Sequence, residues 1–223
     1  MIAGETQDFV YLFPSLVRQD DAGRLVLSWP DGGGAFGQRR ALAMNPHLIT
    51  IQWRPEALTA EECRAVVSLG EGLPRTDGRV ELGPDTYRVG HIAWIEPAPE
   101  NHWLFHKLAV LFAEINARYG FELTGFVDAL QYTVYGAEQH FDWHLDVGAD
   151  RTSARKLSMT LQLSGPEEYS GGALEFFNAG IGEEARRLGS ATFFPSYLAH
   201  RVSPVQGGVR RSLVAWAYGP AFR

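Results

Sequence analysis

Ala129-Leu130-Gln131-Tyr132-Thr133-Val134-Tyr135-Gly136 is a short strand-like run closed by a glycine. Four more follow at residues 156–163, 173–177, 190–194 and 210–218, each set off by turn residues. Regularly spaced short strands with glycine punctuation predict an all-β sandwich or jelly roll. Upstream the pattern changes. Residues 47–53 read as a strand. Thr59 opens a helix, Glu62 completes a capping box with it, and Gly70 is the expected stop. Residues 87–95 are a further strand candidate. Asn101 is the expected cap of the longest helix, 102–119, which Gly120 should end. Within it Leu104, Leu108, Leu111 and Ile115 make one apolar stripe. The expected class is mainly β with flanking helices (α+β), a jelly roll whose two helices buttress one sheet.

The first 45 residues pattern weakly and are expected to be an N-terminal extension, a loop, hairpin or lid, ahead of one domain at 46–223. Leu25-Val26-Leu27-Ser28-Trp29 reads as a strand, with a turn at Pro30-Asp31-Gly32. Gly32-Gly33-Gly34-Ala35-Phe36-Gly37 matches a dinucleotide-binding fingerprint in form only. Such a fingerprint opens a helix, and here Pro46 follows with no amphipathic helix between, so a loop is expected.

Bulk properties exclude several classes. With 223 residues, 45% hydrophobic and 21% charged, the chain can bury a core. The formal net charge is −6 and no basic block stands out, which argues against a nucleic-acid partner. Cys63 is the only cysteine, so neither an internal disulfide nor a thiolate zinc site can form; a buried, inert thiol is expected. No secretory leader and no bilayer-length apolar run is present, so a cytoplasmic protein without a membrane partner is expected.

The chemistry concentrates in the last third. His144 and Asp146 stand one residue apart in Phe141-Asp142-Trp143-His144-Leu145-Asp146. On an extended backbone both face one side. His140 and Asp142 make the same pattern, and spacing alone leaves both pairs open. His200 follows an apolar run ending at Pro195, and Arg210 opens the last one. Two histidines and one carboxylate occupy one face of an octahedral Fe(II) and leave positions open. His102 and His106 lie one helical turn apart but lack a third ligand, so they are expected to be solvent-exposed.

Several segments taken together resemble the prolyl 4-hydroxylase-like branch of the Fe(II)/2-oxoglutarate oxygenases. The ligand segment is Leu130-Gln131-Tyr132-Thr133-Val134-Tyr135-Gly136, then Phe141, then His144-Leu145-Asp146. Tyr169-Ser170-Gly171-Gly172, Phe193-Phe194-Pro195, His200-Arg201-Val202 and Gly208-Val209-Arg210 continue it. The resemblance covers residues 125–220 closely and 46–124 loosely. It picks His144 and Asp146 over His140 and Asp142.

That resemblance implies a double-stranded β-helix of the cupin-like kind, with Fe(II) as cofactor and 2-oxoglutarate and dioxygen as cosubstrates. Ascorbate is an optional addition. It implies that His144, Asp146 and His200 hold the metal. Arg210 would pair with the distal carboxylate of 2-oxoglutarate, a task its planar fork suits. Tyr135 would reach the same carboxylate, and Ser212, on Arg210's face, would add a hydrogen bond; Arg211 has the opposite parity. The implied activity is hydroxylation of an unactivated C–H bond, with a prolyl residue of a peptide or protein as the expected substrate. A free amino acid or a natural-product intermediate is the alternative.

Arg88, His91 and Trp94 are expected to line a substrate cleft, as are Arg155 and Glu175. Trp143 and Trp216 are assigned to core or pocket wall, with Trp143 also a substrate candidate. Two other classes compete: a non-catalytic β-sandwich binding module, and a cupin-type hydrolase or isomerase using the same ligands. Intact metal ligands weigh against the first and Arg210 against the second.

Overall fold

A computed structural model describes residues 9–11, 15–21, 25–28, 36–38, 45–78, 87–177 and 179–221. The chain divides into two compact units, 1–45 and 46–223. In the first, β1 (Phe9–Tyr11) pairs with β4 (Phe36–Gln38) and β2 (Ser15–Gln19) pairs with β3 (Leu25–Ser28), all antiparallel. The expected strand at Leu25 is β3. The glycine-rich stretch before Phe36 and the expected turn at Pro30 lie outside the described residues.

The second unit begins with β5 (Gln52–Arg54) and α1 (Ala60–Glu71). The strand expected at 47–53 is shorter than the pattern suggested. Thr50 closes a turn instead, its backbone N–H and its hydroxyl both donating to the His47 carbonyl at 3.0 and 2.9 Å. Thr59 and Glu62 form the capping box as expected. Gly70 does not stop the helix. It is buried inside α1, which runs on to a cap at Gly72. A Cβ at Gly70 would lie 2.3 Å from the Tyr132 ring, so this glycine serves close packing against the sheet.

Next come β6 (Thr76–Asp77), β7 (Arg88–Val89) and β8 (His91–Ile95), then α2 (His102–Tyr119). Gly120 ends α2 in the left-handed region at φ 67°, as expected. Asn101 does not cap it. Its Oδ1 accepts from the Ala98 N–H and its Nδ2 donates to the Glu96 carbonyl, both at 2.8 Å, holding the preceding 3-10 turn. The buried stripe of α2 is Leu104, Leu108, Phe112, Ile115 and Tyr119, with Phe112 in place of Leu111.

The remaining strands are β9 (Gly125–Phe126), β10 (Leu130–Tyr135), β11 (His140–His144), β12 (Arg155–Gln162), β13 (Tyr169–Gly171), β14 (Leu174–Phe176), β15 (Ala191–Pro195), β16 (His200–Val202), β17 (Val205–Gly208) and β18 (Arg210–Tyr218). An eight-stranded antiparallel sheet runs β5-β15-β12-β18-β10-β8-β6, with β9 beside β18. A four-stranded sheet runs β14-β16-β11-β7. Strands β13 and β17 pair separately.

Strand alternation gives the large sheet two different faces. Leu130, Tyr132, Val134, Leu157, Met159, Leu161, Leu213 and Ala215 join the core with Cys63, Val66 and the α2 stripe. Gln131, Thr133, Tyr135, Thr160, Arg210, Ser212, Val214 and Trp216 line a cavity on the other side, with side chains of the small sheet. Period-two alternation thus packs one face on helices while the other stays polar enough to hold a ligand. No helix among the described residues is long and apolar enough to cross a membrane.

Candidate metal centre

Strand β11 ends at His144, and β16 begins at His200, its register partner across the small sheet. Asp146 lies just past β11, held by the Ser196 carbonyl, which accepts its backbone N–H at 3.0 Å. The two imidazole centroids are 4.1 Å apart. The Nε2 of His144 is 3.8 Å from Asp146 Oδ1, and that of His200 is 3.6 Å from Oδ2. One ligand atom from each of the three lies within 4.8 Å of the others.

The other imidazole nitrogens are occupied. His144 Nδ1 sits 2.7 Å from the Asp142 carbonyl, and His200 Nδ1 sits 2.9 Å from the Leu198 carbonyl. A carbonyl can only accept, so each Nδ1 carries a proton and each Nε2 is the nitrogen that faces Asp146. Burial, reinforced by neighbouring His200, drives the His144 pKa down to about 4 against the pull of Asp146. Burial opposes ionisation of Asp146, but the two imidazoles outweigh it and its pKa falls below the ordinary value. Asp146 Oδ2 is buried without a hydrogen-bond partner. Two imidazoles with Nδ1 tied to a carbonyl, beside an under-coordinated carboxylate, fit a divalent ion such as Fe(II).

Arg210 fits an anion in the same cavity. It is 1% exposed, and Nη1 donates to Ser212 Oγ at 3.2 Å. Its Nε and Nη2 are buried with no partner. Gly172, at φ +57°, makes room: a Cβ there would fall 3.1 Å from Arg210 Cδ. Tyr135, opposite Arg210 in the β10–β18 register, lines the cavity. Arg211 points the other way and pairs with Glu71 at 3.2 Å.

The remaining predicted residues divide. Arg88 lines the cavity, its guanidinium 4.7 Å from the Phe141 ring centroid, and Phe141 stacks on His144. His91 does not reach it. It pairs with Val134, whose side chain joins the helix-side core, and its Nδ1 lies 3.7 Å from Asp77. His91 stands an odd number of residues from both Arg88 and Trp94, so strand alternation itself puts it on the opposite face. Trp143 points away from His144 and Asp146, edge-on to Phe177 and under the Arg201 guanidinium, which pairs with Glu175. Trp216 lines the cavity, with half-exposed Trp94 6.4 Å away. The rival pair sits apart: His140 Nδ1 contacts the Glu138 carbonyl, and the exposed Asp142 carboxylate accepts from the Trp143 N–H. His102 and His106 are exposed. Cys63 is buried, and burial pushes its thiol up to about 11.

The structural role of Arg155 was not legible beforehand. It is packed 3.9 Å over Trp216 and donates to the Asp146 carbonyl at 3.2 Å, to Asp128 at 2.6 Å and to the Tyr218 hydroxyl at 3.0 Å. It steadies the loop that carries Asp146. Only its place at the head of β12 hinted at this.

The family model for the 2OG-Fe(II) oxygenase superfamily matches residues 130–218. A PKHD-type hydroxylase of Thioalkalivibrio sulfidiphilus is 30% identical over 172 residues, covering 73% of this chain and 74% of that one. The chain belongs to the 2OG-Fe(II) oxygenase superfamily. Another superfamily member, a PKHD-type hydroxylase of Xylella fastidiosa, is 28% identical over 183 residues, 76% of each chain. A third, from Synechococcus elongatus, is 44% identical over 80 residues, and that match spans only 35% of either chain. A Pseudomonas putida prolyl-4-hydroxylase superposes with a TM-score of 0.62 at 24% identity, covering 78% of this chain and 94% of its own. A viral collagen prolyl hydroxylase from Paramecium Bursaria Chlorella virus-1, in its 2OG complex, gives 0.60 at 20% identity, covering 76% and 96%. These oxygenases share the double-stranded β-helix, so the expected fold holds.

Proposed function

We propose that the protein is an Fe(II)- and 2-oxoglutarate-dependent hydroxylase. The observation that carries this reading is one cavity with two complementary ends. Three converging ligands stand at one end and a buried arginine with two unpartnered donors at the other. His144, Asp146 and His200 would hold the metal through His Nε2 and the Asp carboxylate. Arg210 would grip the distal carboxylate of 2-oxoglutarate through Nε and Nη2, while Ser212 fixes Nη1 and the Tyr135 hydroxyl adds a contact. When bound, the metal and 2-oxoglutarate together supply oxidative decarboxylation to succinate coupled to C–H hydroxylation.

The chain's own residues bind, orient and exclude water. Arg155 holds the Asp146 backbone, and Phe141 fixes the His144 ring. Trp216, Phe141 and Val214 make the cavity walls apolar enough to favour a saturated carbon over water. We propose as substrate a prolyl residue of a peptide or protein, in the cytoplasm. Support comes from Trp216 in the cavity wall, with the Trp94 ring 6.4 Å from it, and from neighbours named as prolyl hydroxylases. The formal charge of −6 speaks against a nucleic-acid substrate. Anaerobic titration with Fe(II) and then 2-oxoglutarate should give the visible charge-transfer band of the chelate, and aerobic turnover should yield succinate. A protein that binds Fe(II) but gives neither refutes the proposal.

A further inference from the structure

Three charged side chains line the metal cavity besides its histidines: Arg88, Asp146 and Arg210. Asp146 is spoken for by the metal and Arg210 by the cosubstrate, while Arg88 has no task in the chemistry above. Arg88 opens β7 and stands opposite Phe141 of β11. Its guanidinium carbon lies 4.7 Å from the Phe141 ring centroid, and the same ring stacks on His144 with centroids 3.5 Å apart. Arg88 and the His144 imidazole therefore share one aromatic neighbour.

This cation is poorly satisfied. Its hydrogen bond among the described residues is a long one, from Nη1 to Gln131 Oε1 at 3.5 Å. Nε is buried with no partner, and no carboxylate among the described residues pairs with the guanidinium. Arg155, packed over Trp216, differs, because Asp128 holds it at 2.6 Å. A cation kept in a cavity without a counter-charge is unfavourable until a ligand supplies one.

2-Oxoglutarate bound as proposed does not supply it. Gln131, which Arg88 touches, and Tyr135, which faces Arg210 in register, lie at opposite ends of β10. Their separation is about 13 Å of strand, more than one five-carbon diacid chelated to the metal can bridge. Charge balance agrees. Fe(II) is offset by the two carboxylates of 2-oxoglutarate and Asp146 by Arg210, so the loaded site is neutral before Arg88 is counted.

We propose that Arg88 is a specificity-determining residue for a substrate that carries a carboxylate a few bonds from the carbon to be hydroxylated. The proposal rests on the hydroxylase reading. The planar fork of the guanidinium takes a carboxylate through two parallel hydrogen bonds. Anchoring the substrate there, beside Phe141 and His144, sets which carbon faces the metal. The carboxylate belongs either to the hydroxylated residue itself or to an acidic neighbour.

The test loads the full chain anaerobically with Fe(II) and 2-oxoglutarate and follows probe binding by quenching of tryptophan fluorescence, since Trp216 lines the same cavity. One set of probes is N-acetyl-L-proline and its amide. The other is the N-acetylated, C-amidated dipeptides of proline with aspartate or with asparagine, in both orders. The first set reads the residue's own carboxylate and the second an acidic neighbour's. In at least one set the acid should bind about tenfold tighter or more than its neutral counterpart, as a charge-assisted hydrogen bond requires. Arg88→Gln should cut that ratio below about threefold and leave binding of the neutral probe unchanged, whereas a purely structural role would weaken both. The parent's own ratio tests the proposal even if the variant misfolds. A chelate band that never forms in the parent sinks the hydroxylase reading and this proposal with it. A band with no acid preference in any set, or a preference that survives in Arg88→Gln, overturns this proposal alone.

Discussion

Replacing Arg210 by methionine should move stability and cosubstrate affinity in opposite directions. The guanidinium is 1% exposed and its single side-chain hydrogen bond goes to Ser212, while two donors have no partner. A buried, incompletely paired charge is a liability in the ligand-free protein, and an apolar replacement of similar length stabilises such sites by about 1–4 kcal/mol. For a chain of this size each 1 kcal/mol moves the melting temperature by about 2–4 °C. Ligand-free Arg210→Met should therefore melt higher than the parent. Its loss at the cosubstrate end is two charge-assisted hydrogen bonds, each worth about 1.5–3 kcal/mol. Together these correspond to roughly a hundredfold to ten-thousandfold weaker binding of 2-oxoglutarate. Differential scanning fluorimetry without ligand, and anaerobic titration of the Fe(II) form with 2-oxoglutarate, read the two effects separately. A variant that melts below the parent, or binds 2-oxoglutarate within threefold of it, would show that those donors are not held for an anion.

Three further outcomes follow from other parts of the molecule. His144 has its pKa depressed by burial and by His200, to about 4 in the folded chain against roughly 6.5 unfolded. The unfolded chain then takes the proton first, so this contribution is whole above pH 6.5 and is lost as pH falls toward 4. Urea midpoints of the metal-free protein should drop across that window and drop less in His144→Gln; equal slopes would contradict the assignment. Gly70→Ala places a methyl 2.3 Å from the Tyr132 ring inside the core, which should cost about 1–3 kcal/mol in chemical denaturation despite alanine's better helix propensity. An unchanged midpoint would mean that α1 shifts freely on the sheet. Arg155→Met removes the donor to the Asp146 carbonyl and leaves Asp128 with only its partners at Arg151 and Tyr218. Fe(II) affinity by equilibrium dialysis should fall about 10- to 100-fold, the usual cost of losing support behind a metal ligand. Retention of full affinity would leave Arg155 a packing residue only.

Local signals were read well where one short-range interaction decides the outcome. The Thr59–Glu62 capping box and the left-handed Gly120 stop stand where the sequence put them, because each depends on neighbours within a few residues. Gly70 and Asn101 were misread for the complementary reason. A glycine late in an apolar helix suggests a terminus, yet Gly70 is small because Tyr132, from a strand far along the chain, lies against it. Asn101 fits a cap by type, but its amide is committed to the turn behind it. His91 was grouped with Arg88 and Trp94, yet it stands an odd number of residues from each, and period-two alternation puts it on the opposite face.

The order of residues alone determined the strand-rich class, the family and the parity that separates Arg210 from Arg211, since these follow from periodicities of two and from motifs short enough to read directly. It also offered two overlapping His-x-Asp pairs that period-two geometry could not tell apart. The tertiary structure placed His144 opposite His200, left Asp142 at the surface, and set Arg155 behind Asp146. Which side chains share a cavity depends on strand register between segments some fifty residues apart, and a chain read in order does not carry that register.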